Sequence, residues 1–325
     1  MKLNKTINYT ILFICGLSMI IPFLWMLTTS VKSQSEVNKG NIGFLPIEKY
    51  DYVEEDGNEY KVKSVKADKD STFVHIFNMK DVIVKTYQKL PTSAIKKTTK
   101  VKFHVDNYQK AFTKVPFARY FLNTVIVSCC VVLGVLITGT LAAYAFARMR
   151  FKGREFIFYL FISMMMVPQP VYLIPSYVIM NYLGWLDTYN ALIIPWIANV
   201  FTIFLLRQQF KTIPQELFDA ASIDGCSRFG ILRKIVFPLS KSVIVTSAIF
   251  GFIGSWNSFM WPLIMIDNPK LRVLQVGLSY FSQEASAQTT LLMAASAFSI
   301  LPLVVLFIIA QKQIIASFAS SGLKG

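Results

Sequence analysis

Six long stretches of the chain contain no Asp, Glu, Lys, Arg or His and consist mainly of apolar residues. The shortest has 19 residues, and about 20 residues are enough for a helix to cross a hydrocarbon layer of about 30 Å. The pattern therefore predicts six transmembrane helices. They cover residues 6–31, 120–147, 156–186, 188–206, 242–266 and 285–311.

Residues 32–115 follow a different pattern, in which short runs alternate between apolar and polar positions. Alternation with a period of two is typical of strands, and it occurs at 60–65 and 73–77. Asp56-Gly57 is a turn signal between strands, and 105–112 has a helical pattern. We predict a small strand-containing domain between helices 1 and 2.

The composition agrees with a chain that lies largely in lipid. Hydrophobic residues make up 54% of the chain and charged residues 16%, whereas soluble domains contain roughly 25% charged residues. These values exclude a soluble enzyme, a disordered regulator and a disulfide-stapled secreted domain. The four cysteines form no Cys-x-x-Cys pair, so we expect neither a metal site nor a disulfide framework.

The net charge of +15 reflects membrane orientation rather than nucleic-acid binding, because no basic amphipathic stripe is present. Short loops rich in Lys and Arg stay in the cytoplasm. This rule places both termini inside a multi-pass plasma-membrane protein and 32–115 outside, since long segments are translocated whatever their charge. The basic residues are Arg148, Arg150, Lys152, Arg154, Arg207, Lys211, Arg228, Arg233, Lys234 and Lys241, with Lys2, Lys5, Lys312 and Lys324 near the ends.

The six spans lack the chemistry that couples transport to an ion gradient. Secondary transporters and proton pumps use ionisable residues inside the membrane, and none lies inside these spans. The chain is therefore a passive conduit, or its energy comes from another protein.

The basic loop between helices 4 and 5 is predicted to contain a short helix, over 214–224. Pro214 suits its first turn, acidic residues suit its positive end, and Gly225 suits a left-handed stop. The helix presents two adjacent small residues between acidic side chains, and such a knob could dock into a cleft of a soluble partner. An ordinary capped surface helix is the alternative. The knob comprises Glu216, Asp219, Ala220, Ala221 and Asp224.

A longer pattern surrounds this helix: Asp219-Ala-Ala, three residues, Gly225, nine residues, Ile235, one residue, Phe237-Pro238. It resembles the signature of binding-protein-dependent ABC transporter permeases, which begins Glu-Ala-Ala and ends Ile-x-Leu-Pro. Further stretches look like parts of sugar permeases of the maltose-transporter type. In that type two permeases are paired, and the resemblance is to the second of them. These stretches are 142–154, 256–263 and 322–325.

The resemblance implies a role for each part of the loop. Residues 214–225 would form the coupling helix, which seats in a cleft of a separate ATPase subunit, where Asp219 meets a basic residue. Gly225 would turn the chain back to the membrane, and Pro238 would start the next helix. The implied partners are a second permease, two ATP-binding-cassette ATPase subunits and an extracellular binding protein that delivers the sugar.

The chain has no phosphate-binding loop of its own. Gly225 and Gly230 have the glycine spacing of G-x-x-x-x-G-K-[ST], but Ile231 stands where Lys is required. We therefore expect no catalytic residue and no cofactor in this chain, with ATP and Mg²⁺ bound by the partner subunits.

Three residues are candidates for a substrate path. Trp256 could stack on a sugar ring and Asn257 could bind hydroxyls, although interfacial anchoring and an interhelical bond explain them equally well. Gln169 lies between Pro168 and Pro170, where a hinge or polar opening competes with a helix end or re-entrant bend. Phe259 and Trp261 fit interfacial anchoring better.

The sequence thus predicts an all-α membrane protein of the ABC importer permease type that takes up an oligosaccharide or related sugar. An ion-coupled transporter or channel, a receptor, and an ABC permease for amino acids, peptides or phosphate compounds remain alternatives. Four parts are predicted: 1–31 with the first helix, 32–115 outside, 116–311 as the core with the coupling loop 208–238, and 312–325 as a cytoplasmic tail.

Overall fold

The computed structural model describes residues 2–40, 43–55, 58–67, 71–77, 83–283 and 288–322. The predicted Asp56-Gly57 turn and Lys324 lie outside these residues. The chain divides into two compact units, which are Met1–Lys114 with Phe281–Ala297, and Val115–Tyr280 with Phe298–Gly325.

The first unit combines a long apolar helix with an antiparallel sheet. The strands contain both alternating runs of the sequence, and the helix after them lies where a helical pattern is predicted. The elements are α1 (Lys2–Ser30), α2 (Gln34–Asn38), β1 (Ile47–Glu55), β2 (Asn58–Ala67), β3 (Ser71–Phe77), β4 (Ile83–Pro91), β5 (Lys96–Val101) and α3 (Asp106–Lys114).

The five strands pair in the order β4-β3-β2-β1-β5, and all described pairs are antiparallel. Val62 lies opposite Asp51 on one side and Ile76 on the other. The core of the sheet consists of Val53, Val62, Val74 and Ile76. Val62 belongs to the alternating run 60–65, and Val74 and Ile76 point to one face of the run 73–77 because they are two residues apart.

Polar groups at the end of α1 fasten it to the segments that flank the sheet. Asn107 of α3 donates from Nδ2 to the carbonyl oxygens of Ser30 and Lys32, each at 2.8 Å. The buried Glu36 accepts from the backbone N–H of Ile47 at 3.1 Å. Because these groups are buried and hydrogen-bonded, they fix the course of the chain on both sides of the sheet.

The second unit is helical. Helix α4 packs against α8 and α12, while α12 also packs against α16. Its helices are α4 (Phe117–Arg148), α5 (Arg154–Met164), α6 (Gln169–Tyr182), α7 (Tyr189–Ile193), α8 (Val200–Thr212), α9 (Gln215–Ile223), α10 (Arg228–Ile231), α11 (Phe237–Leu239), α12 (Lys241–Trp256) and α13 (Met260–Met265). Of the last three helices, α14 (Leu274–Gln283) and α16 (Leu301–Gly322) belong mainly to this unit, whereas most of α15 (Thr289–Ser299) belongs to the first unit.

Four helical stretches of the described residues are long and apolar enough to cross a membrane. Two bent helix pairs meet the same test, so the number of spans is four to six, and the count of six stays a prediction. The four are Lys5–Ser30, Phe117–Arg148, Tyr189–Thr212 and Thr289–Gln313, and the bent pairs are Arg154–Met164 with Gln169–Tyr182 and Arg228–Leu239 with Lys241–Trp256.

The predicted third span, 156–186, is not one straight helix. It bends by 101° between α5 and α6. Pro168 has an extended backbone and Pro170 occupies the first turn of α6, because neither proline can donate to a preceding carbonyl. The prolines are compatible with a hinge or polar opening and with a helix end or re-entrant bend, and the structure shows the bend.

The expected start of helix 5 at Pro238 is wrong. Pro238 lies in α11, and the chain bends by 83° before α12 begins at Lys241. A π-helical turn at Leu232–Val236 precedes α11, and Ser240 leaves the helical conformation at φ −109°. The proline fits the first turn of α11, where no donor is needed, so the bend falls two residues later.

The predicted fifth span, 242–266, is interrupted as well. Helix α12 ends at Trp256 and α13 begins at Met260. Both the backbone N–H and the side-chain Nδ2 of Asn257 donate to the carbonyl oxygen of Ile253, at 3.1 and 3.0 Å, and so cap the end of α12. Asn257 therefore lies at the break between α12 and α13.

Close packing in this unit depends on Gly134 in α4. A Cβ at this position would lie 2.4 Å from Cγ2 of Ile197, much closer than any van der Waals contact. The Thr138 hydroxyl, one turn later, donates to the carbonyl oxygen of Ile197. The absence of a side chain at Gly134 thus lets α4 approach the chain between α7 and α8.

Candidate functional site

The predicted loop helix is present as α9. Pro214 precedes it with an extended backbone, Glu216 lies in its first turn, and Asp224 follows its last residue. Gly225 has φ +73°, which confirms the predicted left-handed stop. Helix α8 extends to Thr212, so the loop begins later than residue 208.

The exposed face of α9 differs from the predicted pair of alanines. Ala220 is exposed, but Ala221 is only 8% exposed and packs into the core together with Phe218. Successive helical residues are rotated by about 100°, so two neighbours cannot share the centre of one face. Ala221 is therefore a packing residue and not part of the exposed surface.

The outer face of α9 carries an apolar residue that sequence reasoning missed. Ile223 is 85% exposed and lies on the side opposite Phe218 and Ala221. Glu216, Asp219 and Ala220 share this exposed side. The signal was present in the sequence, since Ile223 is apolar but out of phase with the buried positions of its helix. We call the surface formed by Glu216, Asp219, Ala220 and Ile223 the outer face of α9.

The carboxylate of Asp219 is held in a defined direction. Gln215, one turn earlier, donates from Nε2 to Oδ1 of Asp219 at 2.9 Å. The bond leaves the other carboxylate oxygen available on an exposed side chain. Charge, exposure and a fixed direction are what an ion pair with a partner protein requires.

A cavity of about 320 Å³ lies in the same unit, among α4, the start of α6, the chain between α7 and α8, and the end of α12. Among the described residues, no charged side chain lines it. Its polar lining consists of amides and hydroxyls, and its aromatic lining of tryptophan and phenylalanine. These residues are Thr124, Gln169, Asn199, Ser255, Asn257 and Ser258, with Trp196, Phe250, Phe259 and Trp261.

Two of the three candidate path residues meet at this cavity. Gln169 and Asn257 both line it, although 88 positions separate them in the sequence. The bend before α6 brings Gln169 there, and the break after α12 brings Asn257. Oδ1 of Asn257 also accepts from Nε2 of Gln275 at 3.3 Å.

Trp256, the third candidate, does not line this cavity, and its assignment to the path stays a prediction. Its side chain is 1% exposed and its Nε1–H donates to the carbonyl oxygen of Ser299 at 3.1 Å. Its ring stacks on Phe252 with 5.3 Å between centroids. Trp256 and Asn257 are neighbours at a helix end, and the local backbone points them in different directions.

The aromatic residues assigned to interfacial anchoring belong to the cavity wall instead. Phe259 and Trp261 both line the cavity. The indole N–H of Trp261 donates to the carbonyl oxygen of Ala191 at 2.9 Å, and its ring meets Trp196 edge-on at 5.2 Å. Because its hydrogen bond is satisfied inside the protein, Trp261 needs no membrane interface.

Asn199 is a lining residue that the sequence analysis did not single out. Its Oδ1 accepts from the backbone N–H of Thr202 at 2.9 Å and so caps the start of α8. Its amide nitrogen remains as a donor at the cavity. An amide four residues after Pro195 in an apolar run was the signal that could have identified it.

Comparison with known proteins gives the family. Residues 135–319 match the model of the binding-protein-dependent transport system inner membrane component. The chain belongs to this family. The match includes α9 and the cavity-lining residues from Val135 onward, and it confirms the resemblance that the loop signature indicated. This permease is thus a membrane component of a transport system, with several apolar helices.

Individual relatives agree with this assignment. The permease is 36% identical over 225 residues to the probable ABC transporter permease protein YurM of Bacillus subtilis, covering 69% of this chain and 75% of the relative. It is 35% identical over 222 residues to the arabinooligosaccharides transport system permease protein AraQ of Halalkalibacterium halodurans, covering 68% and 80%.

A solved structure shares the fold. It is the crystal structure of a bacterial ABC transporter involved in the import of the acidic polysaccharide alginate. One of its chains superposes with a TM-score of 0.70 at 21% sequence identity, covering 96% of this chain and 97% of that chain.

Proposed function

We propose that this permease forms, with a second permease, the membrane path for ATP-driven import of an oligosaccharide or related sugar. One observation carries the proposal. The outer face of α9 is exposed and acidic, and the same compact unit contains an uncharged cavity. A membrane gate that is driven by another protein needs a surface where that protein docks and a site for the solute. One unit of this permease offers a candidate for each.

The lining of the cavity favours a neutral, hydroxyl-rich solute. Amides and hydroxyls donate to and accept from sugar hydroxyls, while aromatic rings can face the apolar side of a sugar ring. A cavity of about 320 Å³ lies at the lower end of the volumes typical of small-molecule sites. The related permease named for arabinooligosaccharides supports the same class of solute.

The energy in this proposal comes from two ATPase subunits that bind ATP and Mg²⁺. Asp219 of the outer face forms an ion pair with a basic residue in the cleft of one of them. ATP-driven closure of these subunits shifts the permease from an inward-facing to an outward-facing state, and docking supplies the differential contacts that bias this equilibrium. In this arrangement α9 and both chain ends are cytoplasmic, and an extracellular binding protein delivers the sugar to the opposite side.

The variant Asp219→Lys tests the docking role. We expect it to insert normally, to lose the co-purifying ATPase subunit and to abolish uptake of labelled sugars, because it places a positive charge against a basic residue. Asp267→Lys is the control, since it reverses an exposed charge in the loop after α13, and it should retain the ATPase subunit.

Several outcomes would contradict the proposal. Unimpaired uptake by Asp219→Lys would remove the docking role. Purification of the intact chain without a nucleotide-binding subunit and a second permease would favour the ion-coupled transporter. A panel of labelled sugars, amino acids and peptides identifies the solute, and uptake of only the last two would leave the docking role but change the substrate class.

A further inference from the structure

Arg148, the last residue of α4, holds the connection between α8 and α9. Its Nε and Nη2 donate to the carbonyl oxygen of Phe210 at 3.1 and 2.6 Å, and Nη2 also donates to that of Ile213. Its Nη1 donates to Oε1 of Gln215 at 3.0 Å, and the guanidinium lies 4.1 Å from the ring centre of Phe218. The carbonyl of Phe210 also accepts from the backbone N–H of Ile213 at 3.4 Å. The arginine adds donors at this end of α8, where a cation also interacts favourably with the helix dipole.

Arg207 of α8 makes the reciprocal connection. It is 3% exposed, and its Nε donates to the carbonyl oxygen of Phe146 near the end of α4 at 3.2 Å. Its Nη2 donates to both carboxylate oxygens of Glu155 in α5, at 2.7 and 2.6 Å, and its guanidinium lies 3.7 Å from the ring centre of Phe158. Each of α4 and α8 therefore carries an arginine that binds a carbonyl near the carboxyl end of the other, that of Phe210 for Arg148 and that of Phe146 for Arg207.

The contacts of Arg148 continue to the outer face of α9. Arginine can only donate and an ionised carboxylate can only accept. The Gln215 amide between them must therefore turn its oxygen to Arg148 and its nitrogen to Asp219, and this is the arrangement present. An unbroken chain of hydrogen bonds thus joins the end of α4 to the carboxylate of Asp219.

We propose that Arg148 is the positioning residue for energy coupling in this permease, an inference that rests on the proposed docking of α9. Together with Gln215, Arg148 fixes the direction of the Asp219 carboxylate. Together with Arg207, it makes α9 move as one body with α4 and α8. Helix α4 lines the solute cavity, and so does Asn199 at the start of α8. The planar fork of arginine is required, because a lysine has three donors on a flexible stem and cannot bind two carbonyls, an amide and a ring face together.

The test compares Arg148→Lys with Arg150→Lys in the full complex. Arg150 is an exposed arginine two residues later and serves as the matched control. Hydrogen exchange of the α9 amides measures the attachment of the helix. Labelling of Ser255→Cys at the cavity by a membrane-impermeant maleimide, with and without Mg-ATP and vanadate, measures coupling. The four native cysteines are replaced by serine in this experiment.

We expect Arg148→Lys to keep its ATPase subunit but to lose the effect of ATP on cavity labelling. Exchange of the α9 amides should rise by about tenfold, the size expected when charge-assisted hydrogen bonds are lost. A purely structural role would change exchange without removing the ATP response from a complex that still contains its ATPase. Arg150→Lys should match the unmodified chain in both measurements.

Two results would overturn the inference. One is an ATP response of Arg148→Lys equal to that of Arg150→Lys. If Arg148→Lys does not fold, Gln215→Leu replaces it. This change removes the bonds of Gln215 to Arg148 and Asp219 but leaves the bonds from Arg148 to the carbonyls of Phe210 and Ile213, and an undiminished ATP response would then be the overturning result. Failure of the unmodified chain to bring down an ATPase contradicts the proposed function instead, and the exchange measurement on the chain alone still tests the attachment.

Discussion

At the scale of single residues, adjacent positions in this chain have opposite roles. Ala220 is exposed, whereas Ala221 is buried. Asn257 lines the cavity, whereas Trp256 is buried and donates its hydrogen bond inside the protein. Residue type alone suggests a shared role in each pair. The rotation of about 100° between helical neighbours and the backbone at a helix end separate them.

Ile223 gives a test at this scale. We expect Ile223→Asp to weaken binding of the ATPase subunit by about tenfold or more, because burial of an isoleucine contributes about 1.5–3 kcal/mol. The dissociation constant of the purified ATPase subunit for the detergent-solubilised permease is the measurement. Ile223→Val is the matched control and should bind nearly as well, whereas equal binding by Ile223→Asp would show that the partner does not cover this side of α9.

At the scale of elements, the apolar stretches identify helices but not their continuity. The third and fifth predicted spans bend or break, at Pro168 and after Trp256, and both interruptions bring amides to the cavity. A broken helix exposes backbone and side-chain polar groups that only a protein-lined or water-lined space can satisfy. The interruptions are therefore where a solute site in this fold is expected.

Close packing between elements can be tested at Gly134. Gly134→Ala should lower stability by about 1–3 kcal/mol, because the new Cβ would clash with Ile197. Gly16→Ala is the matched control, since no atom lies within 4 Å of a Cβ at that position in α1, and alanine has the higher helix propensity. Thermal unfolding in detergent should show a lower Tm for the first variant and an equal or higher Tm for the second; a lower Tm for both would contradict the packing argument.

At the scale of the whole molecule, residues 32–119 carry 17 basic and 11 acidic residues, a net charge of +6. We propose that this charge attracts the extracellular binding protein. Deletion of 45–100 removes the sheet but keeps Asn107 and its acceptors Ser30 and Lys32, so the end of α1 retains its partner.

The deletion should reduce the stimulation of ATP hydrolysis by the binding protein, and the reduction should be larger at low salt, where unscreened charges act over longer distances. The ATPase rate of the reconstituted complex, with and without the binding protein, is the measurement. Unchanged stimulation at every salt concentration would identify the sheet as a spacer.

Local properties of the sequence account for what it predicts correctly. Uncharged stretches, alternating runs and the αL position at Gly225 depend on nearby residues and backbone sterics, so the membrane helices, the strands and the short loop helix can be recognised from them. The family follows from the loop signature for the same reason, because its spacing is written in consecutive residues.

Tertiary structure decided what depends on residues far apart in the chain. Gln169 and Asn257 line one cavity, Trp256 is withdrawn from it, and Arg148 meets the carbonyls of Phe210 and Ile213 because folded helices bring them within hydrogen-bond distance. A periodic pattern states which side of a helix is apolar, but it does not state which neighbour covers that side. The partners of each side chain are set by packing, and packing exists only in the folded chain.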